Sequence, residues 1–155
     1  MRIVAVGLDA PELDDPPAFG GQTPAGLTLE ALRGLLEREI PGATVGLVGE
    51  RSAGQIALHL AAAMGPVVDR LAIVGVESPT DPLSRDLHTP LLDDVVADTL
   101  VVVGGAGPAG THDAEWYSRR VPSARVEVID AEDLDTLNGH VTLSSVWASV
   151  LAHVA

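Results

Sequence analysis

The stretch LVGERSAGQIALHLA, residues 47–61, decides how the chain folds. An apolar strand runs into a turn bounded by Gly49 and Gly54, and a helical pattern starts at once. Working outward, the strand belongs to a set of five short runs: RIVAVGL 2–8, TVGLVG 44–49, LAIVGV 71–76, TLVVVGG 99–105 and RVEVID 125–130. They are rich in Val and Ile and are nearly continuous rather than alternating, the mark of strands buried on both faces of a parallel sheet. Helical patterns lie between them. TLEALRGLLEREI 28–40 places Leu29, Leu32, Leu35, Leu36 and Ile40 on one face, with Thr28 as N-cap. AGQIALHLAAAM 53–64, DAEWYSRRV 113–121 and VTLSSVWASVLAHV 141–154 follow. Strand–helix alternation predicts an α/β fold: a mostly parallel five-stranded sheet flanked by helices and joined by right-handed crossovers. Segments 9–27 and 77–98 read as loops, the second holding a short helical HTPLLDDVV. Neither has a linker's composition, so residues 1–155 are taken as one domain.

Composition narrows the function. Hydrophobic residues make up 46% and aromatics 3%, so the core must be aliphatic. The net charge is −13, and all nine basic residues are Arg. Such a chain repels phosphate backbones and anionic membranes, which argues against nucleic acid and membrane partners. Without Cys there is no thiol nucleophile, disulfide or thiolate metal site. No basic segment precedes a long apolar stretch at the start, and no run reaches the ~18 apolar residues of a membrane helix, so a cytoplasmic location is expected.

The order of motifs resembles the α/β-hydrolase superfamily, from its fourth strand to its C-terminus, over almost the whole chain. IVAVGLDAPELDDPP looks like the family's strand and glycine-rich loop, and LTLEALRGLLE like the helix after it. LVGERSAGQIALHLAAAM…VDRLAIVG looks like the nucleophile turn, its helix and the next strand. DTLVVVGGAGP…VPSARVEVID looks like the strand that ends in the catalytic acid and the strand after it, and NGHVTL like the loop of the catalytic His. The resemblance implies a minimal core without a cap. It also implies where a triad would sit, and there the residues differ. Hydrolysis on this scaffold needs a Ser at the apex of the turn, a carboxylate, a His and two backbone donors for the oxyanion. In the gap-free frame the apex is Arg51, whose guanidinium keeps its proton and cannot attack a carbonyl. The acid position is Gly107, the glycine-rich loop has become DAPELDDPP, and only His140 matches a triad residue. Reading GERSAG with Arg51 inserted would make Ser52 the nucleophile, but the insertion turns its hydroxyl away from the mouth. The plainer role for Ser52 is in the first turn of the helix, its hydroxyl holding a backbone N–H.

Each remaining polar residue has a functional and an ordinary reading. Arg51 is placed at the carboxyl edge of the sheet, where such folds take ligands, either as an anion clamp or as a surface partner of Glu50. His140 is a general base or a cap of the last helix, with Asp113, Asp130, Glu132 and Asp133 as carboxylate partners to choose from. His59 reads as a helix-surface or interface residue; His88, His112 and His153 share no metal-type spacing with it, so no metal is expected. Gly104, Gly105, Gly107 and Gly110 fail the full dinucleotide-loop spacing and Pro108 interrupts them, so no cofactor is expected. Asp14 and Asp15 before Pro16 and Pro17 read as a solvated loop, and Trp116 and Trp147 as core or interface anchors.

Relative to the family the chain lacks three strands, one of which would lie between the first two present. Either those two pair directly or a gap remains. An uncovered aliphatic patch or an open edge strand would follow, which predicts a homodimer or a heteromer whose partner completes the sheet. Three functions are consistent with these residues. One is a non-catalytic protein that binds a small anionic molecule or a partner. Another is a non-hydrolytic isomerase, lyase or cyclase using His140 and Arg51. The third is a hydrolase using Ser52 and His140.

Overall fold

The structure is a computed structural model, which describes residues 2–6, 34, 37–38, 41–105, 108–129 and 145–155; for 2–6, Ser52, Ser84, Leu87, His88, Pro108 and 145–147 it describes the backbone alone. Its strands are β1 (Arg2–Val6), β2 (Val45–Glu50), β3 (Val68–Val74), β4 (Asp98–Gly104) and β5 (Ala124–Ile129). Its helices are α1 (Ser52–Met64), α2 (Pro82–Asp93), α3 (Pro108–Arg120) and α4 (Ser145–Val154). A short 3-10 turn, Gly65–Val67, leads from α1 into β3.

Strands β2 to β5 form a parallel sheet flanked by helices, the α/β class expected. β1 pairs parallel with β2 through Arg2↔Val45 to Val6↔Gly49, giving the order β1-β2-β3-β4-β5. The first two apolar runs thus pair directly, and no gap separates them. Because the order follows the chain, the crossovers from β2 to β5 place their helices on one face: α1 packs on β2 and β3, α3 on β4 and β5, and α2 touches both helices.

Alternation along the strands builds two cores. Val45, Leu47, Leu71, Ile73, Val101 and Val103 face the three-helix layer and meet Leu58, Leu60, Leu92 and Tyr117. Val48, Ala72, Val74, Leu100 and Val102 face the other way, against Val150 and Val154 of α4. The central strands are therefore apolar on both sides, as their near-continuous runs require. Each fully buried Leu or Ile contributes about 1.5–3 kcal/mol. Gly46 belongs to the second face, and a Cβ there would strike the Val154 carbonyl, so glycine sets how closely α4 lies on the sheet.

One premise of the dimer expectation is corrected. The apolar second-face side chains Val48, Ala72, Val74, Leu100 and Val102 are at most 5% exposed within a single chain. They form no uncovered aliphatic patch, because α4 lies on β2 and β3. The edge strand does remain: β5 is only half-buried, and Val128 is 53% exposed.

Elements differ from expectation at their ends. β3 begins at Val68 rather than 71, because Asp69 and Arg70 extend the strand at its solvent-facing end, where Arg70 meets Asp98 of β4 at 2.7 Å. α2 begins at Pro82 and runs through Pro90, well before the helical stretch expected from residue 88. α3 begins at Pro108 rather than 113, proline suiting the first helical position. Of the expected helix 28–40, residues 34, 37 and 38 are described, and all are helical.

Candidate functional site

The turn at Arg51 is built by its neighbours. β2 ends at Glu50 and α1 begins at Ser52, so a single residue reverses the chain. Room for so sharp a turn comes from Gly49: a Cβ there would lie 2.7 Å from the Ala53 carbonyl oxygen and 2.8 Å from the Ala57 Cβ. Gly54 fits closely under Val76 for the same reason. The Arg51 N–H donates to the Val74 carbonyl at 2.8 Å, continuing the β2–β3 ladder by one bond, and the Gly54 N–H donates to the Arg51 carbonyl at 2.9 Å.

This geometry forces Arg51 into φ 50°, ψ −127°. Among the described residues it is the one non-glycine residue with positive φ. The same device recurs at the next two strand ends. Gly75, at φ 64°, donates to the Val102 carbonyl, and Gly105, at φ 92°, donates to the Ile129 carbonyl. At all three ends the chain leaves the sheet through a left-handed residue. Two are glycine, the residue that adopts this conformation without cost. The third is an arginine, where the strain is of order 1–3 kcal/mol. Arg51 is exposed at the carboxyl edge and occupies the N-cap position of α1 without a side-chain cap bond.

Ser52, the other residue singled out in this turn, is the first residue of α1, one position past the apex. His140 lies outside the described residues, as do Gly107, Asp130, Glu132 and Asp133. Asp113 is described, on α3. Its Oδ1 accepts from both the N–H (2.8 Å) and the Oγ (2.6 Å) of Ser78, a residue only 4% exposed. Of the carboxylates weighed as partners for His140, this one is engaged in holding the β3–α2 connection.

A polar network, which sequence reasoning missed, ties that connection to α3. The Tyr117 hydroxyl donates to the Glu77 carbonyl at 3.2 Å. Burial, and then the negative charge of Asp113, push the Tyr117 phenol well above its ordinary value. Arg85 donates from Nε to the Pro79 carbonyl at 2.8 Å, and its Nη2 lies 3.4 Å from His112 Nε2. Trp116, an expected anchor, is buried edge-on to Tyr117 and carries Arg120 on its ring at 4.7 Å. Serine and aspartate here are 35 residues apart, so no local spacing could announce them.

Three cavities among the described residues lie away from the apex. Between the helices, Gln55, Leu58, His59, Trp116 and Tyr117 enclose about 10 Å³, room for roughly one water. Two larger grooves, of about 320 and 360 Å³, open at the amino end of the sheet. One is lined by Pro41, Thr44, Val45, Met64 and Val67, the other by Arg70, Arg125, Ser149 and His153. His153 donates from Nε2 to the Asp98 carbonyl at 2.9 Å. Among the described residues no group of three or more His, Asp or Glu is placed to hold a metal ion. Gly105 and Gly110 have structural roles: Gly105 supplies the left-handed turn, and a Cβ on Gly110 would lie 2.6 Å from the Gly104 carbonyl oxygen. No described helix is long and apolar enough to cross a membrane. Comparison with protein-family models and with curated proteins found no match.

Proposed function

We propose that the chain is an α/β-hydrolase-like protein that no longer hydrolyses, and that it works by binding: a small anionic ligand at the Arg51 turn, and a second protein chain at the sheet edge. The observation that carries this reading is the backbone at Arg51. A strained strand-to-helix turn exists in α/β hydrolases to hold a nucleophile forward. Here a turn bounded by Gly49 and Gly54 carries an arginine at that position. A permanently protonated group with a planar fork of donors is suited to a carboxylate or phosphate and unsuited to acyl chemistry. The strain favours this over a surface arginine of no consequence, since a glycine would fill the position at lower cost, as at Gly75 and Gly105. The helix N-terminus behind Arg51 adds favourable dipole for an anion.

Titration with millimolar inorganic phosphate, and separately with acetate, tests the reading by backbone amide chemical shifts. Saturable shifts confined to residues 51–55 are expected, lost in Arg51→Ala and retained in Arg70→Ala. Absence of saturation, or shifts indifferent to Arg51→Ala, would overturn it.

A further inference from the structure

We propose that β5 is the joint between two copies of this chain, paired antiparallel about a two-fold axis at Val126, so that the sheets of two protomers become continuous. This rests on the binding of a second chain at the sheet edge just proposed and specifies its partner, edge and register. β5 ends the strand order and, among the described residues, pairs on one side only, with β4. The direction of its backbone groups follows from one bond: the Ile129 carbonyl accepts from Gly105 N–H at 2.7 Å and so faces β4. In an extended strand the N–H and C=O of one residue share a side, and successive residues alternate. Arg125, Glu127 and Ile129 therefore spend their backbone groups on β4. Val126 and Val128 direct theirs outward, as does Ala124 its carbonyl, while the Ala124 N–H donates to the Val121 carbonyl at 3.1 Å.

Self-pairing must set outward residues opposite outward residues. The registers that pair five residues of β5 are centred on Val126 or Glu127, and those that pair three on Arg125 or Val128, the last bringing no opposite charges together. Centring on Arg125 sets that residue directly against its own copy, like charge on like; centring on Glu127 does the same with carboxylates. Centring on Val126 sets Arg125 opposite Glu127 of the second copy, twice over, while Val126 faces Val126 and the exposed Val128 covers Ala124. These Arg–Glu pairs fall at the non-hydrogen-bonded positions, where side chains come closest. Within one chain Arg125 Nη2 already lies 3.5 Å from Glu127 Oε1, so the two-fold would assemble an alternating ring of charges. The pattern thus favours one register and penalises its neighbours, which selects a second copy as the occupant rather than an arbitrary strand.

The test is sedimentation of the full chain from low micromolar to several hundred micromolar, for the wild type, Arg125→Glu, Glu127→Arg and the double reversal. Wild type is expected to approach twice the monomer mass. Each single reversal should weaken association about tenfold or more, and the double reversal should restore it, as pairwise coupling requires. A readout without variants accompanies it: on raising the concentration, amides of Val126 and Val128 should gain protection from hydrogen exchange, while Glu127 and Ile129 stay protected throughout. A chain monomeric over the whole range overturns self-association itself. A dimer indifferent to the reversals, one not restored by the double reversal, or one that leaves the Val126 and Val128 amides unprotected, overturns this edge and register alone.

Discussion

Replacing Arg51 by glycine should leave the protein more stable than replacing it by alanine. At ordinary positions the order is the reverse, because glycine loses more backbone freedom on folding, at a cost of about 0.5–1 kcal/mol. At φ 50°, ψ −127° the Cβ of any other residue is strained, by about 1–3 kcal/mol for conformations of this kind. The difference leaves glycine ahead of alanine by up to about 2.5 kcal/mol, about 1 kcal/mol at mid-range. Both substitutions discard the same guanidinium and whatever it touches, so their comparison isolates the backbone. In a domain of this length, about 1 kcal/mol moves the melting temperature by about 2–4 °C. Urea and thermal unfolding of the two variants in parallel measure it. Alanine equal to or more stable than glycine would refute the reasoning, since the turn would then hold no strain and the arginine would need no functional explanation.

Tyr117 should govern the alkaline limit of stability. Its phenol titrates higher in the folded protein than in the unfolded chain, where the value is about 10. Below pH 10 both states are protonated and the shift has no effect; above it the unfolded chain loses the proton first, so stability falls by up to about 1.4 kcal/mol per pH unit. It is the only tyrosine and there is no lysine, so near-ultraviolet phenolate absorbance reads this group directly. Tyr117→Phe should flatten the decline, and an unchanged decline would discount the burial argument. Gly46→Ala should cost about 1–3 kcal/mol by pushing Val154 off the sheet, with α4 becoming the first site of proteolytic cleavage. Ser78→Ala should cost about 1–2 kcal/mol in urea unfolding, because the N–H of residue 78 keeps its bond to Asp113 while the shorter hydroxyl bond is lost.

What could be read from the residues, and what could not, follows from the range of the interactions. Leu71, Ile73, Val101 and Val103 are buried because their strands are covered on both faces, and continuous apolar runs announce that without any knowledge of neighbours. The ends were harder. Asp69 and Arg70 interrupt the apolar pattern, yet they belong to β3, whose amino end reaches solvent and whose Arg70 is answered by Asp98. Prolines and glycines that read as loop, Pro82, Pro108 and Gly110, lie inside helices. Gly110 is tolerated there because α3 must pass close to the carbonyls of Gly104 and Gly105. The turn at Arg51 was legible as a position from the spacing of Gly49 and Gly54, but its positive φ was not, since an arginine carries no signal of left-handed backbone. The Ser78–Asp113 and Tyr117–Glu77 bonds span 35 and 40 residues and exist only because β3 and α3 are brought together by the sheet.

Whether the apex has exchanged acyl chemistry for binding is tested most directly by exposing the intact protein to a fluorophosphonate probe and locating any adduct by mass spectrometry. No adduct on Ser52 is expected on the proposed reading, because Arg51 holds the apex of the turn and Ser52 lies one position past it. A stoichiometric adduct on Ser52 would contradict this and return the chain to the working serine hydrolases.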